Sequence, residues 1–233
     1  MSWTVIGAGN LIWDIFDAIE AAGDRVERLA LNTGIDARLL ENMPAHLEIV
    51  KLEDFKGGTD ACCFGFIDPA KEKLLHQLKA LGLEFRNIVH PFSYVSSRAR
   101  LGRGNFIGAG AVLAPNARIG DFNFVNRCVS LGHDSTVGDF CHLGPGATVA
   151  GRCAAGDRIF LGAGSVVIDG LRIADDVLLG AGATAVKDLE GAGAYIGTPA
   201  RKMDPRADRG KDGNRGIDGP RYDGPARGQG EVT

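Results

Sequence analysis

At 233 residues the chain is long enough to bury a large core, and its 26 basic against 29 acidic side chains leave a net charge of −3. That balance offers no electrostatic footprint for nucleic acid or an anionic membrane. No apolar run reaches the length of a membrane span, and the opening MSWTVIGAGN reads into a strand with no basic leader, which argues against membrane insertion and secretion. Five cysteines (Cys62, Cys63, Cys128, Cys141, Cys153) form no C-x-x-C pair, so reduced thiols and a cytoplasmic location are expected.

In chain order, Ser2–Ile6 is apolar and β-prone and runs into Gly7-Ala8-Gly9. Leu11–Ala22 carries Ile12, Ile15, Phe16 and Ile19 at helical spacing, which predicts a helix with one apolar face. Further strands are predicted near Val26–Leu31, Leu47–Leu52 and Asp60–Phe66, and a helix over Pro69–Leu81 with Asp68 as its N-cap. This alternation over residues 1–87 reads as a small α/β domain around a parallel sheet. The segment Phe85–Ser93, which contains His90-Pro91, is the expected hinge.

From Val95 to Glu190 the sequence cuts into sixteen hexads without an insertion, and the first residue of each is aliphatic. Gly or Ala follows it in twelve of them, part of a total of 34 glycines. An aliphatic residue every six points inward from a flat side, and a small residue after it lets the chain turn and the coils stack closely. The pattern predicts a parallel β-helix over residues 88–203, with three hexads to a triangular coil and coils stacked at ~4.8 Å. Leu113, Leu131, Val149 and Val167 should form one vertical ladder, and Ile107, Val125, Leu143 and Leu161 another. Residues 204–233, rich in glycine, proline and balanced charge, are expected to be a disordered tail.

Inside so regular a repeat, polar residues that break the pattern are candidates for chemistry. Asn126, His133, Asp134 and His142 are such residues. His133 lies two places after the inward Leu131, near a corner, and a neutral imidazole there can take a proton from an amine or hydroxyl attacking a thioester. Asp134 could orient that ring, but neighbours on a strand face opposite ways, so this needs corner geometry or a second subunit. His142 falls half a coil further on and faces another side. The two histidines can therefore share a site only between packed prisms, which predicts a homotrimer with sites at the subunit seams. A solvent-exposed turn residue for His133 and a structural hydrogen-bonder for His142 are the plain alternatives. No metal is expected, since the prism offers only these two histidines, with His90 before its start. Cys128, Cys141 and Cys153 sit at or near inward positions and read as small core residues.

The hexad array, Asn126, Gly132-His133-Asp134, Val137-Gly138-Asp139, His142-Leu143, Pro145-Gly146-Ala147, Gly151 and the closing Ile196-Gly197-Thr198-Pro199-Ala200-Arg201 resemble the bacterial sugar acetyltransferases. The subgroup is the sialic acid O-acetyltransferase and UDP-amino-sugar N-acetyltransferase family. The resemblance covers residues 1–203 and implies a Rossmann-like domain before a left-handed β-helix that trimerises, with acetyl-CoA as co-substrate in the seam between prisms. It implies His133 as general base, Asp134 as the carboxylate beside it, the Gly151 N–H as oxyanion donor and Asn126 in the acceptor pocket. On the donor side it implies His142 near the thioester, Gly162 and Gly180 along the pantetheine, and Pro199 with Arg201 near the adenosine phosphates. Lys187 joins that set, although a solvated lysine there needs no role.

The α/β domain departs from the family, whose turn is usually of the G-A-x-G-H-G kind and is followed by an acidic pair after the second strand. Here the turn is Gly7-Ala8-Gly9-Asn10-Leu11-Ile12, with Ile12 in the third-glycine position, and Leu31-Asn32-Thr33-Gly34 lacks the acidic pair. Gly7, Gly9, Asn10 and Asn32 are the candidate acceptor contacts, although a tight strand-to-helix turn needs glycine in any case. The expected activity is acetyl transfer from acetyl-CoA to an amino or hydroxyl group of a sugar or nucleotide sugar, for a surface polysaccharide or glycoconjugate. A non-sugar acceptor such as an amino acid, or a non-catalytic trimeric assembly module, are the alternatives. The α/β domain argues against the first, and His133 with His142 against the second.

Overall fold

The computed structural model describes residues 1–32, 34, 37–67 and 70–203, so the cap expected at Asp68-Pro69 and the tail lie outside the described residues. The chain opens with β1 (Ser2–Ile6), α1 (Ile12–Ala21), β2 (Arg25–Leu31), α2 (Ala37–Leu40), β3 (Glu48–Lys51), β4 (Ala61–Phe64), α3 (Ala70–Leu78) and β5 (Glu84–Phe85). The five strands form one parallel sheet in the order β3-β2-β1-β4-β5. Strand β1 lies at the centre, with Val5 and Ile6 fully buried, because it carries helix-covered surface on both sides. The chain leaves β1 in one direction to β2 and returns on its other side at β4. The Gly7–Gly9 turn and Gly65-Phe66 therefore meet at the strand ends where the winding reverses. Strand β5 and helix α2, two and four residues long, were not anticipated, because elements so short carry no periodicity.

Beyond β5 the chain winds into a three-sided parallel β-solenoid. Its first face runs through Ile88–Val89, Phe106–Ile107, Phe124–Val125, His142–Leu143, Phe160–Leu161 and Val177–Leu179. The second runs through Tyr94–Val95, Val112–Leu113, Ser130–Leu131, Thr148–Val149, Val166–Val167 and Thr184–Ala185. The third holds Arg100–Leu101, Arg118–Ile119, Thr136–Val137, Ala154–Ala155 and Arg172–Ile173. Both predicted ladders are present: Leu113 pairs Leu131, which pairs Val149 and then Val167, and Ile107, Val125, Leu143 and Leu161 stack likewise. The inward aliphatics form one continuous core. At the far end Gly193–Ile196 extends the first face, and Arg201–Lys202 pairs back on it antiparallel.

Two expectations are corrected. The hinge shrinks to Arg86-Asn87, because Phe85 closes β5 and Ile88–Val89 is already the first strand of the solenoid. Asn87 is fixed there by hydrogen bonds, its Oδ1 accepting the Asn105 N–H at 2.8 Å and its Nδ2 donating to the Gly102 carbonyl at 2.7 Å. Cys128 is exposed in the left-handed region at a corner, φ 56°, whereas Cys141 and Cys153 are buried in the core as expected.

The corner between the third and first faces carries two polar ladders. The Oδ1 atoms of Asp121, Asp139, Asp157 and Asp175 accept the N–H groups of Arg103, Asp121, Asp139 and Asp157 one coil below, at 2.7–3.0 Å. Beside them Asn87, Asn105 and Asn123 accept the N–H groups of Asn105, Asn123 and Cys141. The carboxylates fit because glycines precede them: a Cβ on Gly138 would lie 2.7 Å from the Gly156 backbone and overlap Asp157 Oδ1. Gly138→Ala is therefore expected to break the rung and lower stability by about 1–3 kcal/mol, read by urea unfolding. Unchanged unfolding would deny the close approach.

The solenoid and sheet share their cores within one compact unit, Met1–Lys202. Outward side chains of the first face, Ile88, Phe106 and Phe124, pack with Trp3, Ile12, Ile15 and Ile19. At the corner, Phe122 packs against Phe64 and Phe85 at ring distances of 5.7 and 5.2 Å. Lys71 Nζ donates to the Phe122 carbonyl at 2.6 Å, and Arg127 pairs with Asp14 of α1 at 2.5 Å. Among the described residues no helix is long and apolar enough to cross a membrane.

Candidate active site at a solenoid corner

The corner between the second and third faces stacks equivalent residues every coil: Pro115-Asn116, His133-Asp134, Gly151-Arg152. Asp134 turns the chain in the left-handed region, φ 58°, a conformation aspartate tolerates better than most side chains. That conformation lets two sequence neighbours face each other. His133 Nδ1 lies 2.8 Å from Asp134 Oδ2, and Asn116 Nδ2, one coil below, donates to Asp134 Oδ1 at 2.9 Å. Those two hydrogen bonds, the one from His133 first, hold the Asp134 carboxyl below the usual carboxylate range. An ionised carboxylate only accepts, so Nδ1 carries the proton and Nε2 is left with a free lone pair. The ring is half exposed, at 52% of its side-chain surface.

Nε2 points at Gly151. A Cβ on Gly151 would lie 2.7 Å from His133 Nε2, so any side chain there would displace the ring. The Gly151 N–H has no acceptor among the described residues. A free imidazole nitrogen thus lies beside a free amide donor on one rigid corner, the pair of groups that acyl transfer requires. Asn116 was not foreseen as the second partner of Asp134. Counting 18 residues back from Asp134 along the ladder finds it.

His142 lies on the first face, away from His133 within one chain. It continues the outward ladder of that face, edge-on between Phe124 (5.6 Å, 77°) and Phe160 (4.7 Å, 81°). Only 9% of it is exposed, and neither ring nitrogen has a hydrogen-bond partner among the described residues. Burial, aided by the nearby Lys71 cation, lowers its pKa to about 4, so it stays neutral. Asn126 is buried at the next corner, its Oδ1 accepting the Arg127 N–H at 2.7 Å. Gly162 and Gly180 lie on that same corner, and Gly162 is packed hard against the Gly180-Ala181 backbone. Lys187 and Arg201 gather with Lys202 in a groove of about 590 Å³ at the end of the solenoid, together with Asp188 and Glu190. Pro199 follows a cis peptide bond beside that groove. The cationic groove, the free Gly151 N–H and the orphaned His142 nitrogens are donor groups of the kind acetyl-CoA requires.

The α/β turn is tighter than a phosphate loop. The Gly7 and Gly9 N–H groups already donate to the Ala30 and Gly65 carbonyls at 2.7 and 2.8 Å. Phe66 lies across both glycines, and Asn32 Oδ1 is 3.0 Å from where a Gly7 Cβ would stand. Asn10 and Asn32 are exposed at its rim. Among the described residues no three His, Cys, Asp or Glu side chains come together in a metal-binding arrangement.

No protein-family model and no curated protein matches the chain. Among solved structures, a variant of perosamine N-acetyltransferase from Caulobacter crescentus in complex with CoA and GDP-perosamine is 28% identical, with a TM-score of 0.80. That match covers 88% of this chain and 97% of that one. The acetyltransferase domain of PglB from Neisseria gonorrhoeae, in complex with acetyl coenzyme A, is 22% identical at a TM-score of 0.77, over 87% of this chain and 98% of that one. WeeI from Acinetobacter baumannii shares the fold at 21% identity and a TM-score of 0.76, over 87% of this chain and all of that one. An α/β sheet welded to a hexad solenoid, together with a likeness that runs through almost the full length of the perosamine enzyme, makes the chain a member of the sialic acid O-acetyltransferase and UDP-amino-sugar N-acetyltransferase family.

Proposed function

We propose that the protein is an acetyl-CoA-dependent acetyltransferase acting on an amino or hydroxyl group of a sugar or nucleotide sugar. One observation carries the reading: the Asn116–Asp134–His133 relay leaves a free Nε2 beside the free Gly151 N–H. The 28% likeness to a nucleotide-sugar N-acetyltransferase supports the amino group. Acetyl-CoA supplies an activated thioester. His133 Nε2 takes the proton as the acceptor nitrogen or oxygen bonds to the acetyl carbon. Asp134 holds the ring through Nδ1–H and stabilises the imidazolium, and the Gly151 N–H takes up charge on the oxyanion. When the carbon–sulfur bond breaks, His133 returns its proton to the leaving sulfur, and no covalent enzyme intermediate forms.

In this reading residues 1–87 are a Rossmann-like acceptor domain and residues 88–203 a left-handed β-helix. His142, Asn126, Gly162 and Gly180 lie on another face and corner than His133 in the same chain. A homotrimer brings them together by setting the first face of one subunit against the His133 corner of the next. Lys187, Pro199 and Arg201 then stand at the phosphate end of the donor, and the whole reaction runs in the cytoplasm. The test is CoA release from acetyl-CoA with a panel of nucleotide-linked amino sugars. Release matched by one acetylated product is expected, and no release across amino sugars and their hydroxyl analogues would overturn the reading.

A further inference from the structure

We propose that Arg98, Arg100 and Arg118 form a diphosphate subsite for the acceptor, so that the sugar enters attached to a nucleoside diphosphate. The inference rests on the acetyltransferase reading and narrows its substrate. The three arginines line a groove of about 700 Å³ beside the His133 corner, with Ser97, Asn116 and Asp134. Arg100 and Arg118 pair in register on the third face, which sets two cations side by side at ~4.8 Å backbone spacing. Like charges directly opposite repel.

Elsewhere on the solenoid such charge is answered: Arg103, Arg127, Arg152 and Arg158 each meet an aspartate. None of the three groove guanidinium groups has a partner among the described residues. The one carboxylate in the groove, Asp134, has its oxygens engaged by His133 and Asn116. What the groove lacks is an anion with several oxygens, and guanidinium forks match phosphate in geometry as well as charge.

A diphosphate could come from the acceptor or from CoA, and the position of the arginines selects the acceptor. Lys187, Arg201 and Lys202 serve the opposite end of the solenoid, beyond Gly151. The arginines lie one to two coils, ~5–10 Å, on the other side of His133, about the reach of a pyranose ring and its glycosidic phosphate. The Gly7–Gly9 turn does not compete for it, since both glycine amides are already bonded within the sheet.

The test compares the full-length protein with Arg100→Gln/Arg118→Gln, using guanosine and uridine diphosphate and, separately, CoA as calorimetric probes. Diphosphate affinity should fall at least tenfold while CoA affinity holds. In turnover, kcat/KM for a nucleotide-linked amino sugar relative to the free amino sugar should fall at least tenfold. Unchanged diphosphate affinity would overturn the proposal, and so would loss of CoA affinity in its place. A shift in sedimentation that accounts for the loss would overturn it too, by making the arginines interface residues. Diphosphate binding that depends on the arginines in a protein that acetylates no sugar would keep the subsite and refute the reading it rests on.

Discussion

Replacing His133 with alanine is expected to lower the rate of acetyl transfer by roughly 10²–10⁴-fold, the range that a positioned general base contributes. The loss should fall on kcat. A ring that is half exposed and bonded only to Asp134 supports no part of the core, so the variant should unfold at the same urea concentration as the parent. It should also keep its affinity for CoA, because the cationic groove at the solenoid end lies coils away. CoA release under saturating acceptor, together with an unfolding curve, separates the outcomes. Release at the parental rate would remove His133 from the chemistry. A fall in rate matched by a fall in stability would make it a structural residue.

The solenoid was legible because its physics is periodic: one inward aliphatic per six residues fixes face, coil length and vertical register together, and the Leu113 and Ile107 ladders fell where the count put them. The first three strands and helix α1 were legible for the same reason, each carrying a burial pattern several residues long. Where the pattern was too short, as in β5, or lay across a seam between two folds, as at Arg86-Asn87, the sequence misled. Within the site, His133 stood out as a break in a small-residue repeat. Its partners were harder to see. Asn116 and the Arg100–Arg118 pair become neighbours of the catalytic corner only through the 18-residue stacking, a distance at which composition carries no signal. Asp134 could be read as a partner only once its left-handed backbone was known, since an extended strand would have turned it away. Cys128 misled for the converse reason: a small sulfur-bearing side chain suits a core, but its place in the hexad is the corner.

His142 sets stability against pH. The unfolded imidazole titrates near 6.5 and the folded one at about 4, so between those values the unfolded chain binds the extra proton and acid favours unfolding. Its contribution is complete above pH ~6.5 and is lost as the pH falls toward 4, which amounts to about 2.5 kcal/mol at pH 4.5. His142→Phe removes that term, and it extends the Phe124–Phe160 stack with a ring of similar volume that leaves no buried nitrogen unpaired. The variant should therefore gain on the parent as the pH drops, with the difference in urea-unfolding free energy growing by about 2.5 kcal/mol between pH 7 and pH 4.5. A difference that does not change with pH would mean that His142 titrates freely and is not buried in solution. Measured beside this, the affinity for CoA decides what the orphaned nitrogens do. Acid stability gained at the expense of CoA binding identifies a ring kept polar for a ligand, whereas stability gained with binding intact identifies a packing residue that phenylalanine replaces.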